Sequence, residues 1–335
     1  MTTLRSRVWG TGHYLPPKVV TNFDLAKVME TSDEFIVKRT GIRCRRHAEP
    51  DVSASDLAVP ACQAAVMDAG LEMSDIDLLI MNTITPDHAD PGCVNFLQAK
   101  LGLAGIAAYD IRQQCTGLLY GMALADAFIL TGKYQHPLIV CSETLSKRID
   151  GSYDGRNIAV LLGDGAGAVV MGPSDDERRG VLWTGLHADG RGAKALYTAA
   201  PGSALGRFEH LTREDIDAGR VHFRMDGKAI FENGTNGMTS AAQEALAANH
   251  MTVDDVDLFI PHQANLRMLE AVVARLGLPS AKVLVNVEEY GNMASACLPV
   301  AFDQARKQGR AEDGKLVLLF GFGSGFVWGS ALVRM

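Results

Sequence analysis

The chain has the composition of a well-buried globular protein, with 335 residues of which 47% are hydrophobic and 21% are charged. Its net charge of −7 argues against bulk binding to nucleic acid. The six cysteines include no C-x-x-C pair, and the sequence shows neither a secretory signal nor an apolar run long enough to cross a membrane. We therefore expect a cytoplasmic protein with free thiols, no bound metal and no membrane partner.

Short apolar runs alternate with longer amphipathic stretches along the chain. The short runs predict strands and the longer stretches predict helices. This alternation favours a layered α/β fold. In chain order, the predicted elements are a helix at 54–69, a strand at 78–81, helices at 93–101 and 116–131, strands at 138–140 and 166–171, a helix at 228–248, a strand at 258–260, a helix at 264–276, and strands at 283–285 and 316–320.

The second part of the chain repeats features of the first in the same order. Each part has an Ala-rich helical stretch, an acidic and apolar strand entry, a turn before a helix, and a glycine-rich strand entry. Several correspondences at similar offsets predict two related halves. The matching pairs are 57–69 with 241–250, 75–80 with 255–260, 114–117 with 291–294, and 163–167 with 321–325.

A polar, turn-rich segment at 172–180 separates the two repeats and is expected to connect them. We therefore divide the chain into a first half, residues 1–173, and a second half, residues 174–335. In this alignment Cys115 and Asn292 occupy corresponding positions. A duplicated fold normally places its working site between its halves, so these two residues are expected to meet there.

Cys115 lies where an apolar strand gives way to a long predicted helix. A thiol in the first turn of a helix faces unpaired backbone N–H groups and the positive end of the helix dipole, and both favour the thiolate. The thiolate is the form that attacks a carbonyl carbon. A single cysteine is more often a buried apolar residue, so the nucleophile interpretation depends on the residues that accompany it.

Two further polar residues accompany Cys115 in this pattern. His262 follows the predicted strand at 258–260, and functional groups of α/β sheets concentrate at such carboxyl ends. His262 and Asn292 can both donate hydrogen bonds to a thioester or enolate oxygen, and His262 can also transfer a proton. Each also has an ordinary structural interpretation, as a hydrogen-bonding histidine after a strand and as an asparagine in a turn.

These residues belong to a set of motifs that resembles the β-ketoacyl-acyl-carrier-protein synthase III family of the thiolase-like superfamily. The resemblance extends over nearly the whole chain, in the family's order. The matching segments are 31–36, 39–43, Asp110-Ile111-x-x-x-Cys115-x-Gly117, 163–168, Pro261-His262-Gln263-Ala264-Asn265-Leu266-Arg267, Gly291-Asn292 and 326–334.

The resemblance implies a five-layer αβαβα fold, a homodimer and a catalytic triad of Cys115, His262 and Asn292. It implies an acyltransferase in which an acyl-CoA loads its acyl group onto Cys115. A malonyl thioester, carried by acyl carrier protein or by CoA, then loses CO₂ and attacks the acyl-enzyme to give a 3-oxoacyl product, as in the initiation of fatty acid synthesis. His262 and Asn292 would stabilise the enolate, and no permanently bound cofactor is expected.

Further residue roles also follow from the resemblance. The backbone N–H groups of Cys115 and Ser324 would form the oxyanion hole, although Ser324 replaces a frequent glycine. Four residues would contact CoA, because they fall where the family places an adenine-stacking aromatic ring and arginines suited to phosphate. These are Phe35, Arg39, Arg156 and Arg267.

Three residues depart from the family's pattern and bear on acyl specificity. Gln113 and Gln114 precede the nucleophile where small residues are common, so they either reshape the site or anchor the turn. Asp90 falls where many members present an apolar residue to the partner's acyl pocket, and a buried carboxylate there is costly. We hypothesise that Asp90 limits primer size or contributes acid–base chemistry.

Several other functions remain open from the sequence. A biosynthetic thiolase needs a second catalytic cysteine in the C-terminal glycine-rich loop, and residues 321–325 contain none. The leading alternative is a condensing enzyme or acyltransferase of secondary metabolism that uses a medium-chain, branched or aryl acyl-CoA. An O- or N-acyltransferase and a non-catalytic partner subunit are weaker alternatives, the last because all three triad residues are present.

Overall fold

The computed structural model describes residues 5–153, 155–174 and 176–335. Strands and helices alternate along the first half, as the sequence pattern predicts. Its elements are β1 (Arg5–Tyr14), β2 (Val19–Thr21), α1 (Asn22–Leu25), α2 (Asp33–Thr40), β3 (Cys44–Arg46), α3 (Ala54–Asp68), β4 (Leu78–Asn82), α4 (Cys93–Lys100), β5 (Ala107–Ile111), α5 (Gly117–Leu130), β6 (Pro137–Thr144), α6 (Arg156–Ala159) and β7 (Asp164–Ser174).

The second half continues the same alternation. Short 3₁₀ turns at Gln114–Thr116 and Ala294–Ala296 precede one long helix in each half. The elements of the second half are β8 (Gly180–Ala188), β9 (Leu196–Thr198), α7 (Arg213–Asp217), β10 (Phe223–Met225), α8 (Gly227–Ala248), β11 (Leu258–Pro261), α9 (Leu266–Leu276), α10 (Val287–Tyr290), α11 (Cys297–Lys307), β12 (Leu316–Gly323) and β13 (Val327–Arg334).

Two mixed sheets with the same internal plan form the framework. The first has the order β1-β7-β6-β4-β5, with β4 parallel to both β5 and β6 and with β7 antiparallel to β6 and β1. The second has the order β11-β12-β13-β8, with β11 parallel to β12 and the other pairs antiparallel. We propose that the halves divide at 173/174, just before the last residue of β7 and ahead of the segment that leads to β8. Asp175 of that connecting segment lies outside the described residues.

The layers follow the order helix, sheet, helix, sheet, helix. α5 and α11 lie between the sheets and contact strands of both, α3 and α4 cover the outer face of the first sheet, and α8 and α9 cover that of the second. The central strands are therefore buried on both faces, which explains their continuous apolar runs. In β6, for example, Ile139 packs in the central cluster while Leu138 and Val140 pack against the outer helices. The predicted five-layer αβαβα fold is confirmed. None of the described helices is both long and apolar enough to cross a membrane.

The prediction of a strand at 283–285 is wrong. Val283 makes only one isolated parallel bridge, to Phe259, at the place where β5 lies in the first sheet. In this segment, backbone carbonyl groups that could pair with a neighbouring strand instead accept hydrogen bonds from side chains. Arg310 donates to Val283 O at 3.2 Å, and Gln263 donates to Leu284 O at 3.1 Å. The segment therefore closes the loop after β11 instead of extending the sheet.

Candidate active site

The Gln114–Thr116 turn presents Cys115 at the amino end of α5. Gln114 has a positive φ of 50°, which bends the chain sharply between β5 and the helix. Asn82, at the end of the neighbouring strand β4, accepts a hydrogen bond from Gln113 N–H at 2.7 Å, and Thr116 Oγ1 donates to Gln113 O at 2.8 Å. The hydrogen bond to Asn82 therefore holds the turn against the sheet, and Cys115 lies just before α5 in a partly buried position.

Burial controls the ionisation of Cys115. The pKa of its thiol is raised well above the ordinary value, first by burial and then by the Cys297 thiol and the Glu143 carboxylate nearby. Backbone hydrogen bonding lowers this pKa, but the effect is smaller than that of burial. The helix terminus was expected to favour the thiolate, and burial outweighs that effect.

His262 lies directly after β11, with its backbone N–H donating to Phe320 O at 2.8 Å. The Gln263 side chain closes the loop around it, accepting from Asn286 N–H at 3.0 Å and donating to Pro261 O at 2.9 Å. The imidazole is only 2% exposed, and its Nδ1 has no partner among the described residues. Burial lowers the pKa of His262 to about 4, so the ring is neutral near pH 7 and can accept a proton.

Asn292 is held by the backbone of the first half. Its N–H donates to Leu161 O at 2.7 Å, and its carbonyl accepts from Gly163 N–H at 3.0 Å. The side-chain oxygen Oδ1 accepts from Ala294 N–H at 2.8 Å and contacts Cys297 Sγ at 3.7 Å. Because Oδ1 is occupied, the amide is oriented with Nδ2 as its available donor.

The fold brings the three residues together from both halves. The Gln114–Thr116 turn packs against the Ala294–Ala296 turn, and Cys115 lies in one apolar cluster with Ala294. Gly321 of β12 separates His262 from the nucleophile turn: a Cβ placed on it would lie 3.4 Å from His262 Cβ and 3.6 Å from Thr116 Cγ2. The site therefore lies between the halves, at the starts of the two central helices.

The expected correspondence between Cys115 and Asn292 is wrong by three residues. The turn before α11 has the backbone of the turn before α5, with positive φ at Ala294 (44°) as at Gln114 (50°). The counterpart of Cys115 is therefore Ser295. Asn292 still reaches the site, because it lies just before the matching turn.

Ser324 lies beside the nucleophile turn. A Cβ placed on the preceding Gly323 would be 2.9 Å from Cys115 N, so the two backbones approach closely. Ser324 is not among the described non-glycine residues with positive φ, so its φ is negative. A negative φ is the condition under which its backbone N–H was expected to donate. Its hydroxyl donates to Gln114 Oε1 at 3.0 Å. The Gln114 side chain thus ties the turn to the end of β12, and Gln113 acts on the turn through its backbone.

Three of the four residues expected to contact CoA form one cluster. The Arg39 guanidinium lies 4.6 Å from the Phe35 ring centre, and that of Arg156 lies 5.2 Å from the same ring. Tyr153, which the sequence reasoning missed, packs under Arg156 at 3.8 Å. Arg267 lies beside this cluster, where it donates to Lys38 O at 3.1 Å and pairs with Glu270. The cluster offers aromatic faces and guanidinium groups together at the surface.

Asp90 is exposed at the surface of the single chain. Its segment continues into Gly92, which packs against the Asp110 side chain of the edge strand β5. This position is next to the open edge of the first sheet. A role for Asp90 in acyl selection therefore requires a second chain.

Sequence reasoning missed Glu143, although a signal was present. A carboxylate that follows a long apolar run in the same strand is costly to bury without hydrogen bonds, and Glu143 is 0% exposed on β6. Burial raises its pKa to about 7. Within the described part of the chain, no cluster of three or more His, Cys, Asp or Glu side chains is placed to hold a metal ion.

The amino-acid sequence of the chain is similar to that of a known protein family. Residues 109–190 match the family 3-oxoacyl-[acyl-carrier-protein] synthase III, and residues 246–335 match the C-terminal family of the same name. A β-ketoacyl-[acyl-carrier-protein] synthase III of Caldanaerobacter subterraneus subsp. tengcongensis is 41% identical over 327 residues, which cover 98% of this chain and 97% of the relative.

Solved structures agree over the full length. The 3-oxoacyl-[acyl-carrier-protein] synthase III of Aquifex aeolicus is 36% identical with a TM-score of 0.89, covering 98% of this chain and 100% of that one. The priming β-ketosynthase of the R1128 polyketide pathway is 32% identical with a TM-score of 0.87, covering 98% and 96%.

The five-layer fold with a cysteine between its halves defines a thiolase-like condensing enzyme, an acyltransferase. Within that class, the chain belongs to the 3-oxoacyl-[acyl-carrier-protein] synthase III family, and its activity is the condensation that initiates fatty acid synthesis.

Proposed function

We propose that Cys115 carries the acyl group in a two-step condensation. In the first step the Cys115 sulfur attacks the thioester carbon of an acyl-CoA, and its proton passes to the neutral His262. The bond to the CoA sulfur breaks, and the CoA thiolate leaves as free CoA after taking a proton. The low pKa of His262 supports this role, because the ring returns its proton readily.

The second step uses the donors that face Cys115. A malonyl thioester loses CO₂, and the resulting enolate carbon attacks the acyl-enzyme carbonyl to give a 3-oxoacyl thioester and free Cys115. Asn292 Nδ2 and His262 stabilise the enolate oxygen. The observation that carries this proposal is the fixed amide of Asn292, whose oxygen is already occupied by Ala294 N–H.

The backbone N–H groups of Cys115 and Ser324 form the oxyanion hole of the acyl transfer. Their support is the close approach of Gly323 to Cys115 N, because Gly323 directly precedes Ser324. A donor of this kind contributes roughly 3–4 kcal/mol to acyl transfer.

The cluster of Phe35, Arg39 and Arg156 binds the nucleotide end of CoA, and Arg267 adds positive charge beside it. Aromatic and guanidinium faces suit an adenine ring, and the arginines suit phosphates. The second substrate is a malonyl thioester of acyl carrier protein or of CoA. No cofactor is held permanently in this mechanism, because CoA thioesters enter as substrates, and the setting is the cytoplasm.

A second copy of the chain completes the enzyme as a homodimer. β5 is the last strand of the first sheet, so its outer edge has no strand partner among the described residues, and Tyr109 on it is 40% exposed. Pairing of β5 with a second copy would extend the sheet. It would also carry Asp90 towards the partner's site, where its carboxylate would limit the acyl group.

A specialised priming enzyme is the second candidate function. The 32% identity to the priming β-ketosynthase of a polyketide pathway favours it, together with Asp90 and the Gln113-Gln114 pair. Such an enzyme would use the same acyl-Cys115 chemistry with a medium-chain, branched or aryl acyl-CoA.

Mass spectrometry of the intact protein tests the proposed function. Incubation with acetyl-, medium-chain, branched and aryl-CoA thioesters should add one acyl group to the wild-type chain and none to Cys115→Ala. Cys44→Ala is the matched control, because Cys44 is also a partly exposed free thiol and should leave acylation intact. Acylation of Cys115→Ala at the wild-type level would exclude Cys115 as the acyl carrier, and the preferred thioester distinguishes the two candidate functions.

A further inference from the structure

Glu143 is a fully buried carboxyl group that receives hydrogen bonds from both halves. Oε2 accepts from Thr85 Oγ1 at 2.9 Å and from Ile84 N–H at 3.1 Å, in the segment that follows β4. Oε1 accepts from Ser295 Oγ, in the turn before α11. Among the described residues, no lysine or arginine forms an ion pair with Glu143. The carboxyl group is therefore held by neutral donors alone.

The hydrogen bond to Ser295 reaches the turn that orients Asn292. Ser295 is the middle residue of this turn, and Ala294 beside it has a φ of 44°, which a non-glycine residue keeps only when its surroundings hold it there. Ala294 N–H is the group that occupies Asn292 Oδ1. Glu143 thus anchors, from the first half, the second-half turn that orients the Asn292 amide.

The same carboxylate also acts on the nucleophile. Its negative charge is one of the causes that raise the pKa of Cys115. Burial raises the pKa of Glu143 itself to about 7, so its charge changes within the neutral range. Among the described residues, titratable or charged groups also face this region from the neighbouring elements. They include Arg148 and Cys141 on or after β6, Asp164 on β7 opposite Thr144 with His47 beside it, Arg112 after β5, Cys297 on α11 and His262 after β11.

We propose that Glu143 is a positioning residue with two effects. Its hydrogen bond to Ser295, in the turn that packs against the Cys115 turn, fixes the Asn292 amide, and its negative charge beside these turns adds to burial in disfavouring the Cys115 thiolate. The inference rests on the proposed roles of Cys115 and Asn292. It assigns a function to a carboxyl group that touches neither substrate. Cys115 then loses its proton only when a substrate has reached His262.

Two variants separate the effects. Glu143→Gln removes the charge and nearly keeps the shape, so the pH midpoint for alkylation of Cys115 by iodoacetamide should fall by about one unit. Ser295→Ala keeps the carboxylate, so its midpoint should move by much less. Its rate of malonyl-CoA decarboxylation should instead fall about tenfold, because the Asn292 donor is no longer fixed. Alkylation is measured on the Cys115 peptide by mass spectrometry.

Asp126→Asn is the matched control. Asp126 is a partly buried carboxyl group bonded to Ser6, about three turns along α5 from Cys115, so its loss tests for general destabilisation. Its alkylation midpoint should match that of the wild type. If Glu143→Gln does not fold, as judged by circular dichroism, Glu143→Asp takes its place. This variant keeps the charge, so it should retain the wild-type midpoint and lose decarboxylation.

The proposal is overturned if the Glu143→Gln midpoint equals that of the wild type or is reproduced by Asp126→Asn. It is also overturned if Ser295→Ala decarboxylates malonyl-CoA at the wild-type rate. Where Glu143→Asp is used because Glu143→Gln does not fold, a shift in the alkylation midpoint of Glu143→Asp overturns the proposal as well. Alkylation requires no CoA. A wild-type enzyme that fails to decarboxylate would therefore count against the proposed function, while the midpoint shift would still decide the effect of the charge.

Discussion

The ionisation of Cys115 and His262 at rest is set by burial more than by the helix dipole. Burial raises the pKa of the thiol and lowers that of the imidazole, so both groups are neutral near pH 7. A neutral pair needs no counterion. In the proposed mechanism the charge separates only when the sulfur attacks, and the oxyanion that forms is stabilised by the proposed backbone donors.

Asn292→Ala should separate the two chemical steps. The variant lacks the Nδ2 donor to the enolate, so malonyl decarboxylation should slow by about 10²–10³-fold, the usual effect of losing one such donor. Acylation of Cys115 does not use this donor and should stay within about threefold of the wild-type rate. Single-turnover acylation and release of CO₂ from labelled malonyl-CoA measure the two steps.

Asn233→Ala is the control for that experiment. Asn233 is an exposed amide whose only described bond is to Ala229 O on the same helix, and its loss should change neither step. Equal slowing of acylation and decarboxylation in Asn292→Ala would show that the residue supports the turn generally and is not a donor to the enolate.

The site depends on how closely two elements approach each other. The end of β12 approaches the nucleophile turn so tightly that Gly323 has no room for a side chain, since its Cβ would lie 2.9 Å from both Cys115 N and Gln114 Cβ. The hydrogen bond between Ser324 and Gln114 holds the same contact from the side. The position of the Cys115 amide is therefore set by β12 as much as by α5.

Gly323→Ala should displace the nucleophile turn. The added methyl group meets backbone that cannot move without shifting Cys115 and its amide, so acylation should slow by about tenfold or more. Gly190→Ala is the matched control, because a Cβ there meets nothing within 4 Å. An acylation rate of Gly323→Ala equal to that of Gly190→Ala would show that the turn tolerates the shift.

For the whole molecule, two buried groups make stability depend on pH in opposite directions. His262 titrates at 6.5 when exposed and at about 4 when folded, so the unfolded chain binds more protons between these values and stability falls as pH falls. Glu143 titrates at 4.5 when exposed and at about 7 when folded, so its contribution is lost as pH rises through that range.

Replacing His262 by glutamine should remove the first of these effects. The stability of the wild type should fall by about 2–3 kcal/mol more than that of His262→Gln between pH 6.5 and about 4. Urea unfolding across this range measures the difference. The exposed His210 provides the control His210→Gln, whose pH dependence should match that of the wild type. Parallel curves for wild type and His262→Gln would contradict a buried neutral imidazole.

Local pattern alone predicted the long elements well. α5 and α8 lie within one residue of their predicted bounds, because the long, mostly apolar run of α5 and the apolar face of α8 predict helices without any tertiary partner. Sequence reasoning did not name β1, β8 and β13 as strands. Their runs are broken by glycine and polar residues, and β1 and β8 also carry register shifts that interrupt a two-residue period. In the structure β1 pairs with β7, and β13 pairs with both β12 and β8.

The sequence by itself determined the layered fold and the family, and it singled out Cys115, His262 and Asn292 as the proposed triad, because those features depend on residue type and order. Only the tertiary structure decided that Ser295 is the counterpart of Cys115, that Glu143 lies beside the site, and that the thiol at rest is protonated. The reason is physical: burial, charge and the direction of an amide are set by groups far apart in the chain, which only the packed halves bring into contact.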